Sequence, residues 1–275
     1  TKGNAESNEV TISGASTNIN GNVFGGYAFN GIAGGYDEEN KKSLGNKVTI
    51  SGGTIGKTAQ TVDIYGGFGK TGASYNEVEM TATADTVYGN VIGGMAVGNA
   101  ENNVVTLNGG SILANGSANG GKSENGDATK NQVTVGATSV QTVNGGRADN
   151  GTASENVVTV NNWNYSAASG SVKGGFGDKA NKNTVYANCG VYGVVIGGHG
   201  ISGASENVVE VANDISDANM MVYGGQANTG NVNKNIVNVG KSSIQGVYGG
   251  ESTGDAKVSE NIVNLADGSE FAQVY

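Results

Sequence analysis

Apolar side chains recur at fixed positions along this chain, in a pattern that restarts about every 27 residues. The phrase Asn-x-Val-x, followed by a mostly apolar residue, occurs ten times, beginning at Asn8, Asn46, Asn76, Asn103, Asn131, Asn156, Asn183, Asn207, Asn235 and Asn261. Apolar and polar residues alternate within each phrase, which is the period of a half-buried β-strand. A repeat of this length is typical of solenoid proteins, whose units bury their apolar faces by stacking on one another.

A glycine pair lies between each phrase and the next. The nine pairs are residues 25–26, 66–67, 93–94, 120–121, 145–146, 174–175, 197–198, 224–225 and 249–250. An apolar residue, Val in most repeats, stands two positions before each pair and predicts a second strand. We expect the pairs to form tight corners with positive φ and to remove side chains where backbone layers crowd.

These columns predict an all-β fold, a β-solenoid in the form of a parallel right-handed β-helix of about nine coils. Val occurs 33 times and Leu four times, a ratio that favours strands over helices. Residues 1–275 are predicted to form a single β-solenoid repeat region, and the repeats at its two ends predict an excerpt of a longer array. The longer first interval predicts a loop insertion over residues 27–45.

The asparagine that opens each phrase is a candidate structural residue. Asparagine tolerates the left-handed conformation at a corner, and stacked amides can hydrogen bond from layer to layer. A sugar-binding row of amides is the alternative interpretation. The predicted ladder consists of Asn46, Asn76, Asn103, Asn131, Asn156, Asn183, Asn207 and Asn235.

Aromatic residues recur beside the glycine pairs and form a candidate binding strip. An exposed aromatic strip is typical of a surface that binds a partner, although such rings can also simply stack coil on coil at the corners. The strip, which includes Tyr36 in the insertion, consists of Tyr27, Tyr36, Tyr65, Phe68, Phe176, Tyr223 and Tyr248.

Charge and cysteine content narrow the classes of partner. The formal net charge is −9 and Arg147 is the single arginine, which argues against nucleic acids and anionic membranes as partners. No apolar run is long enough to span a bilayer, so we expect no direct membrane insertion of this segment. One cysteine, Cys189, cannot form a disulfide within the chain, and we expect it to be a small buried residue.

The sequence predicts no catalytic residues, no metal site and no cofactor. Glu79 and Glu210 occupy the outward position of their phrases but lie five coils apart, roughly 24 Å at the usual strand spacing. They are therefore too distant to act as an acid–base pair. The single histidine, His199, is expected at a turn or on the surface. A polysaccharide-active β-helix enzyme remains an alternative, with its cluster of ionisable groups contributed by the insertion around Tyr36 to Lys42.

The stretch "NKVTISGGTIGKTAQTVDIYGGFGKTGASYN" resembles the passenger-domain repeats of bacterial autotransporter (type V secretion) adhesins. The resemblance covers essentially the whole chain. It implies a secreted, virulence-associated rod at the bacterial cell surface, held at the outer membrane through a part outside this chain. Its implied partners are proteins or glycans of host or neighbouring cells, and self-association of rods is the further alternative. The expected function is cell adhesion without enzymatic activity.

Overall fold

The computed structural model describes residues 3–81, 86–113, 115–163, 170–191 and 193–275. Over these ranges the protein contains β-strands and no helix, and almost all strand pairs are parallel. Equivalent strands of successive repeats pair in register, as when Val78 pairs with Val105 and Val105 with Val133. The prediction of a β-solenoid with a repeat of about 27 residues is therefore confirmed.

The Asn-x-Val phrases form one face of the solenoid. They stack as a ten-stranded sheet with strands Glu9–Ile12, Lys47–Ile50, Glu77–Met80, Val104–Leu107, Gln132–Val135, Val157–Val160, Thr184–Ala187, Val208–Val211, Ile236–Val239 and Ile262–Leu265. A four-stranded sheet follows the phrases in the earlier repeats, with strands Asn18–Ile19, Thr54–Ile55, Thr86–Tyr88 and Ser111–Leu113.

The glycine pairs lie within strands of a third, 17-stranded sheet, which also contains the short strands that lead back to the next phrase. Its strands are Val23–Ala28, Ile32–Gly34, Ile64–Gly69, Gly72–Ser74, Val91–Ala96, Asn99–Glu101, Ser117–Ser123, Ala128–Thr129, Thr142–Ala148, Thr152–Ser154, Gly170–Asn181, Gly193–Ser205, Ser216–Ala227, Asn231–Asn233, Ser243–Ser252, Val258–Ser259 and Glu270–Val274.

Each coil encloses two different interiors. The central core consists mainly of Val and Ile columns, such as Val105, Leu107 and Ile112 in one repeat, all at most 3% exposed. After each glycine pair the chain extends away from the central core and then returns, and these two segments form a narrow side arm. Small residues such as Ala96 and Ala100 line the arm, and they are buried but lie outside the central core. A Cβ added to Gly69 would come within 2.0 Å of the carbonyl oxygen of Gly72, which shows how closely the two strands of the arm approach.

The ladder asparagines lie where the side arm joins the central core. In one rung the Asn103 Nδ2 donates to Asn131 Oδ1 at 3.0 Å and to the carbonyl of Ala73 at 2.9 Å. The same Oδ1 also accepts the backbone N–H of Asn103 at 3.0 Å. The pattern repeats along the rod, so each buried amide has its donors and its acceptor satisfied. The eight predicted ladder residues are all at most 1% exposed.

The left-handed corner lies one residue earlier than the sequence predicts. The residue before the asparagine, rather than the asparagine itself, has positive φ in nine of the ten phrases. These residues, with φ of 55° to 59°, are Ser7, Tyr75, Asn102, Lys130, Glu155, Lys182, Glu206, Lys234 and Glu260. The ladder asparagine itself directs both its backbone N–H and its Nδ2 to the amide oxygen of the next layer, as Asn103 does toward Asn131.

Glycine is required at each pair because neighbouring atoms approach the backbone closely, and not because the backbone has positive φ. None of the nine pairs has a residue in the left-handed region among the described residues. A Cβ on the second glycine would collide with the ladder amide of its own coil, as between Gly121 and Asn131 at 2.4 Å. A Cβ on the first glycine would meet the next coil, as between Gly120 and the Gly145 carbonyl oxygen at 2.4 Å. The expectation of positive φ was therefore wrong, and that of crowded layers is confirmed.

The insertion predicted over residues 27–45 is shorter in the structure. Tyr27 belongs to strand Val23–Ala28, and strand Ile32–Gly34 pairs in parallel with Gly72–Ser74, so both are ordinary parts of the coil. What remains outside the coil is an antiparallel hairpin formed by strands Tyr36–Asp37 and Lys42–Ser43.

Substituting Gly121 by Ala should destabilise the protein by about 2–3 kcal/mol, because the new methyl group must displace the Asn131 amide or the backbone. The measurement is the midpoint of urea unfolding. Gly21→Ala is the matched control, since a Cβ at Gly21 has nothing within 4 Å and should change stability by about 0.5 kcal/mol or less. Equal midpoints for the two variants would contradict the packing role given to the glycine pair.

Candidate functional site

The residues that flank each glycine pair meet on the outside of the rod. In strand Ile64–Gly69 both glycines face inward, so Tyr65 and Phe68 on either side of them point outward together. Their ring centroids are 5.9 Å apart, although alternation along a flat strand would place residues three apart on opposite faces. We call these two columns the outer seam, which consists of the residue before and the residue after each glycine pair.

The middle of the outer seam is densely packed. Ile92, Met95 and Ile196 are at most 6% exposed, yet they lie outside the central core cluster. Asn144 donates from Nδ2 to Asn119 Oδ1 at 2.9 Å, and both side chains are nearly buried. The seam is therefore a second packed structure, formed on the outer surface by the bend at the glycines.

Aromatic rings fill the seam near its first layers. Phe24 stacks on Tyr65 at 5.0 Å, and Tyr27 stacks on Phe68 at 5.2 Å. Edge contacts join the two columns, as between Phe24 and Tyr27 at 5.2 Å. The prediction that rings stack coil on coil is confirmed, and Tyr27 still has 51% of its surface exposed.

A second aromatic group lies near the last layers. Tyr223, Tyr248 and Tyr275 form a continuous stack with centroid distances of 4.8 and 4.9 Å. Burial, followed by the charge of Glu251, raises the pKa of Tyr223 to about 12. The Tyr223 phenol is therefore a neutral hydrogen-bonding group at physiological pH.

The predicted aromatic strip is thus divided into separate groups. Its members Tyr27, Tyr65 and Phe68 lie together near the first layers, while Tyr223 and Tyr248 lie together near the last. Tyr36 is not in the seam, because it lies on the hairpin and contacts Tyr75 at 5.2 Å. The seventh member, Phe176, stands among cations between the two aromatic groups.

Four basic residues surround Phe176 in the middle layers. The Arg147 guanidinium lies 5.6 Å and the Lys173 Nζ 5.9 Å from the ring centroid. Lys122 pairs in register with Arg147 in the layer before, and His199 contacts the ring at 5.3 Å in the layer after. We call Lys122, Arg147, Lys173, Phe176 and His199 the central cation group.

Burial disfavours the charged forms of the basic side chains in the central cation group. Burial, followed by the neighbouring charge of Arg147, lowers the pKa of Lys173 to about 8. Burial also lowers the pKa of His199, and Lys173 adds to that effect. His199 lies on strand Gly193–Ser205 and not at a turn, and it is half-buried in the outer seam on the surface of the rod.

Sequence reasoning missed the central cation group because it followed only the aromatic residues. The position after the glycine pair reads Tyr27, Phe68, Met95, Lys122, Arg147, Phe176, His199, Gln226 and Glu251. Reading the whole column would have placed Lys122, Arg147 and His199 next to Phe176. Lys173 stands in the column before the pair, and only the bend at the glycines brings it to the same side of the strand as Phe176.

Other groups singled out in the sequence lie outside the seam. Cys189 is half-buried, and burial raises the pKa of its thiol to about 11. On the hairpin, Asp37 accepts hydrogen bonds from Glu39 and Asn40, and Glu38 pairs with Lys41. No group of three or more metal-ligating side chains occurs within the described ranges. No helix in those ranges is long and apolar enough to cross a membrane.

Comparisons of the chain with known protein families, with curated proteins and with solved structures give no match. The solenoid and its outer seam are therefore the features of the chain that bear on its function.

Lys173→Met should stabilise the protein below about pH 8, because it removes a half-buried cation that the unfolded chain solvates freely. The unfolded state keeps this proton up to about pH 10.5, so the wild type gains stability as pH rises from about 8 to 10.5. The variant should exceed the wild type in free energy of unfolding by on the order of 2 kcal/mol at neutral pH, and this difference should decrease between about pH 8 and 10.5.

Urea unfolding midpoints across this pH range measure the effect. Lys179→Met, which removes an exposed lysine from the same strand, controls for the loss of one positive charge. A difference between wild type and Lys173→Met that does not change with pH would show that Lys173 is well solvated.

Proposed function

We propose that this chain is the binding rod of a surface-displayed adhesin, which attaches a bacterial cell to host or neighbouring cells through side chains of its outer seam. The observation that carries the proposal is the contrast between the two sides of the coil. The inward columns repeat the same few residue types, whereas the seam changes from aromatic to cationic to aromatic along the rod.

The rod itself suits attachment at a distance from a cell. Its ten stacked phrase strands, at about 4.8 Å per layer, hold the seam residues in a fixed linear order. A ligand that extends along the rod can therefore contact several layers without ordering a flexible loop, which lowers the entropic cost of binding.

The exposed parts of the seam have the composition of binding surfaces. Tyrosine contributes a large rigid contact area and a hydroxyl group, and arginine contributes several directed donors. Tyr27 is half exposed at the aromatic end, and Arg147 has 40% of its side chain exposed in the central cation group. Tyr186, an exposed tyrosine on the phrase face, lies outside these groups.

Labelled protein should bind saturably to epithelial cells or to bacterial cells, and Tyr27→Ala should weaken that binding about tenfold, as expected for an aromatic contact residue. Tyr186→Ala is the matched control, because it removes a tyrosine of similar exposure, 42%, from the phrase face and not from the seam. Flow cytometry over a concentration series gives the apparent Kd of each variant.

Three outcomes would contradict the proposal. They are the absence of saturable binding to any cell type, equal losses for Tyr27→Ala and Tyr186→Ala, and cleavage of polysaccharides in a turnover screen. Sedimentation of the free protein, run in parallel, detects self-association, which would point to rods that pair with one another instead of with a receptor.

A further inference from the structure

The central cation group carries more positive charge than its surroundings neutralise. Lys122, Arg147 and Lys173 lie in three successive layers of a chain whose net charge is −9. In the described part of the chain, the one carboxylate that pairs with them is Asp149, 2.7 Å from Arg147 Nε and 4.0 Å from Lys122 Nζ. An acidic protein thus concentrates unneutralised cations in one half-buried place.

Lys173 shows this imbalance most clearly. Its ammonium donates one hydrogen bond, to Ser171 Oγ at 2.7 Å, and lies 5.9 Å from the Phe176 ring centroid. Within the described ranges it has no ion pair, while Arg147 adds a like charge nearby. A half-buried ammonium in this setting gains more from an incoming anion than an exposed one does, because less solvent screens the interaction.

Hydrogen-bond donors remain for such an anion. An ammonium group has three donors, of which Lys173 uses one in the described structure. Arg147 uses its Nε for Asp149, and no hydrogen bond in the described ranges uses its terminal nitrogens. A guanidinium edge beside an ammonium is a favourable geometry for a carboxylate, which can accept from both.

The residues around the central cation group favour a ligand that carries one negative charge and is otherwise neutral. Ile196 and Tyr223 continue the seam on one side, and Ile92 and Met95 on the other, so the flanks are uncharged. Glu251, hydrogen bonded to Gln226 at 2.6 Å, places negative charge farther along the same column. A polyanion would meet this acidic residue and the acidic remainder of the rod, whereas an oligosaccharide carrying one carboxylate would not.

We propose that the central cation group binds the carboxylate of an acidic sugar residue within an otherwise neutral oligosaccharide. Lys173 and Arg147 contact the carboxylate, and the adjoining seam contacts the neutral sugars. This assignment deepens the proposed function and rests on it, since it names the ligand chemistry of the same seam.

The test measures binding of two oligosaccharides that each carry one carboxylate, 3′-sialyllactose and a xylotriose with one glucuronic acid branch. Each is compared with its carboxyl-reduced form by calorimetry or by NMR titration. Reduction of the carboxyl group should weaken binding about tenfold, as should Lys173→Met, which is the loss expected for a charge-assisted contact. The two probes distinguish a sialic acid from a uronic acid as the source of the carboxylate.

Lys179→Met is the control and should leave the affinity within about twofold, because it removes the same charge from an exposed position of the same strand. NMR of the Lys173 side chain gives an independent readout. Its pKa, which is about 8 in the free protein, should rise when the acidic sugar binds and stay unchanged with the reduced sugar.

Equal affinity for the acidic and reduced sugars, or for wild type and Lys173→Met, would overturn the carboxylate site. The absence of binding by both acidic probes would overturn it as well. If labelled protein still binds cells in either case, the adhesin function stands and only this site is wrong. If cell binding is absent too, both proposals fail together.

Discussion

The structure depends on one buried interaction, the amide ladder at the junction of the central core and the side arm. Each ladder asparagine joins its own phrase to the backbone of the returning arm of the preceding coil and to the side-chain amide of the following coil, as Asn103 does. A buried amide without these partners would be costly, so the coils must stack in one register. The second glycine of every pair follows from this constraint, because the amide occupies the space that a side chain would fill.

The same constraint creates the surface on which we place the function. Two consecutive inward glycines shift the alternation of the strand, and this shift turns both flanking side chains outward. Packing keeps most inward positions Val, Ile, Gly or Asn, whereas the flanking positions can vary without disturbing the ladder. The aromatic residues at Tyr27 and Tyr223 and the cations at Arg147 and Lys173 occupy such positions. Function can therefore change along the rod while the fold stays constant.

The repeat made much of the fold predictable from sequence. Val105 and its equivalents, the Asn103 rung and the stacking of Tyr27 on Phe68 follow from columns that are visible in the sequence, because stacked coils place like on like. The conformational detail was less accessible. The left-handed residue is often Lys or Glu, as at Lys130 and Glu155, types that carry no turn signal. Each is held there by the ladder residue that follows it.

The candidate site was predictable only in part, for a related reason. Aromatic residues are conspicuous in a low-complexity sequence, whereas Lys122 and Lys173 look like ordinary solvated lysines. Only the bend at the glycine pair brings Lys173 to the same side as Arg147 and Phe176. The glycine pairs predict corners with positive φ and not this bend, so the sequence alone does not place Lys173 beside Phe176.

The most direct test of the ladder is hydrogen exchange of the asparagine carboxamides, followed by NMR. If the amides bridge the layers as described, the Nδ2 protons of Asn103, Asn131 and Asn156 should remain protected long after those of an exposed residue such as Asn20 have exchanged. Exchange of the buried and exposed carboxamides at the same rate would show that the amides are solvated. The stacking of the coils would then need a different explanation.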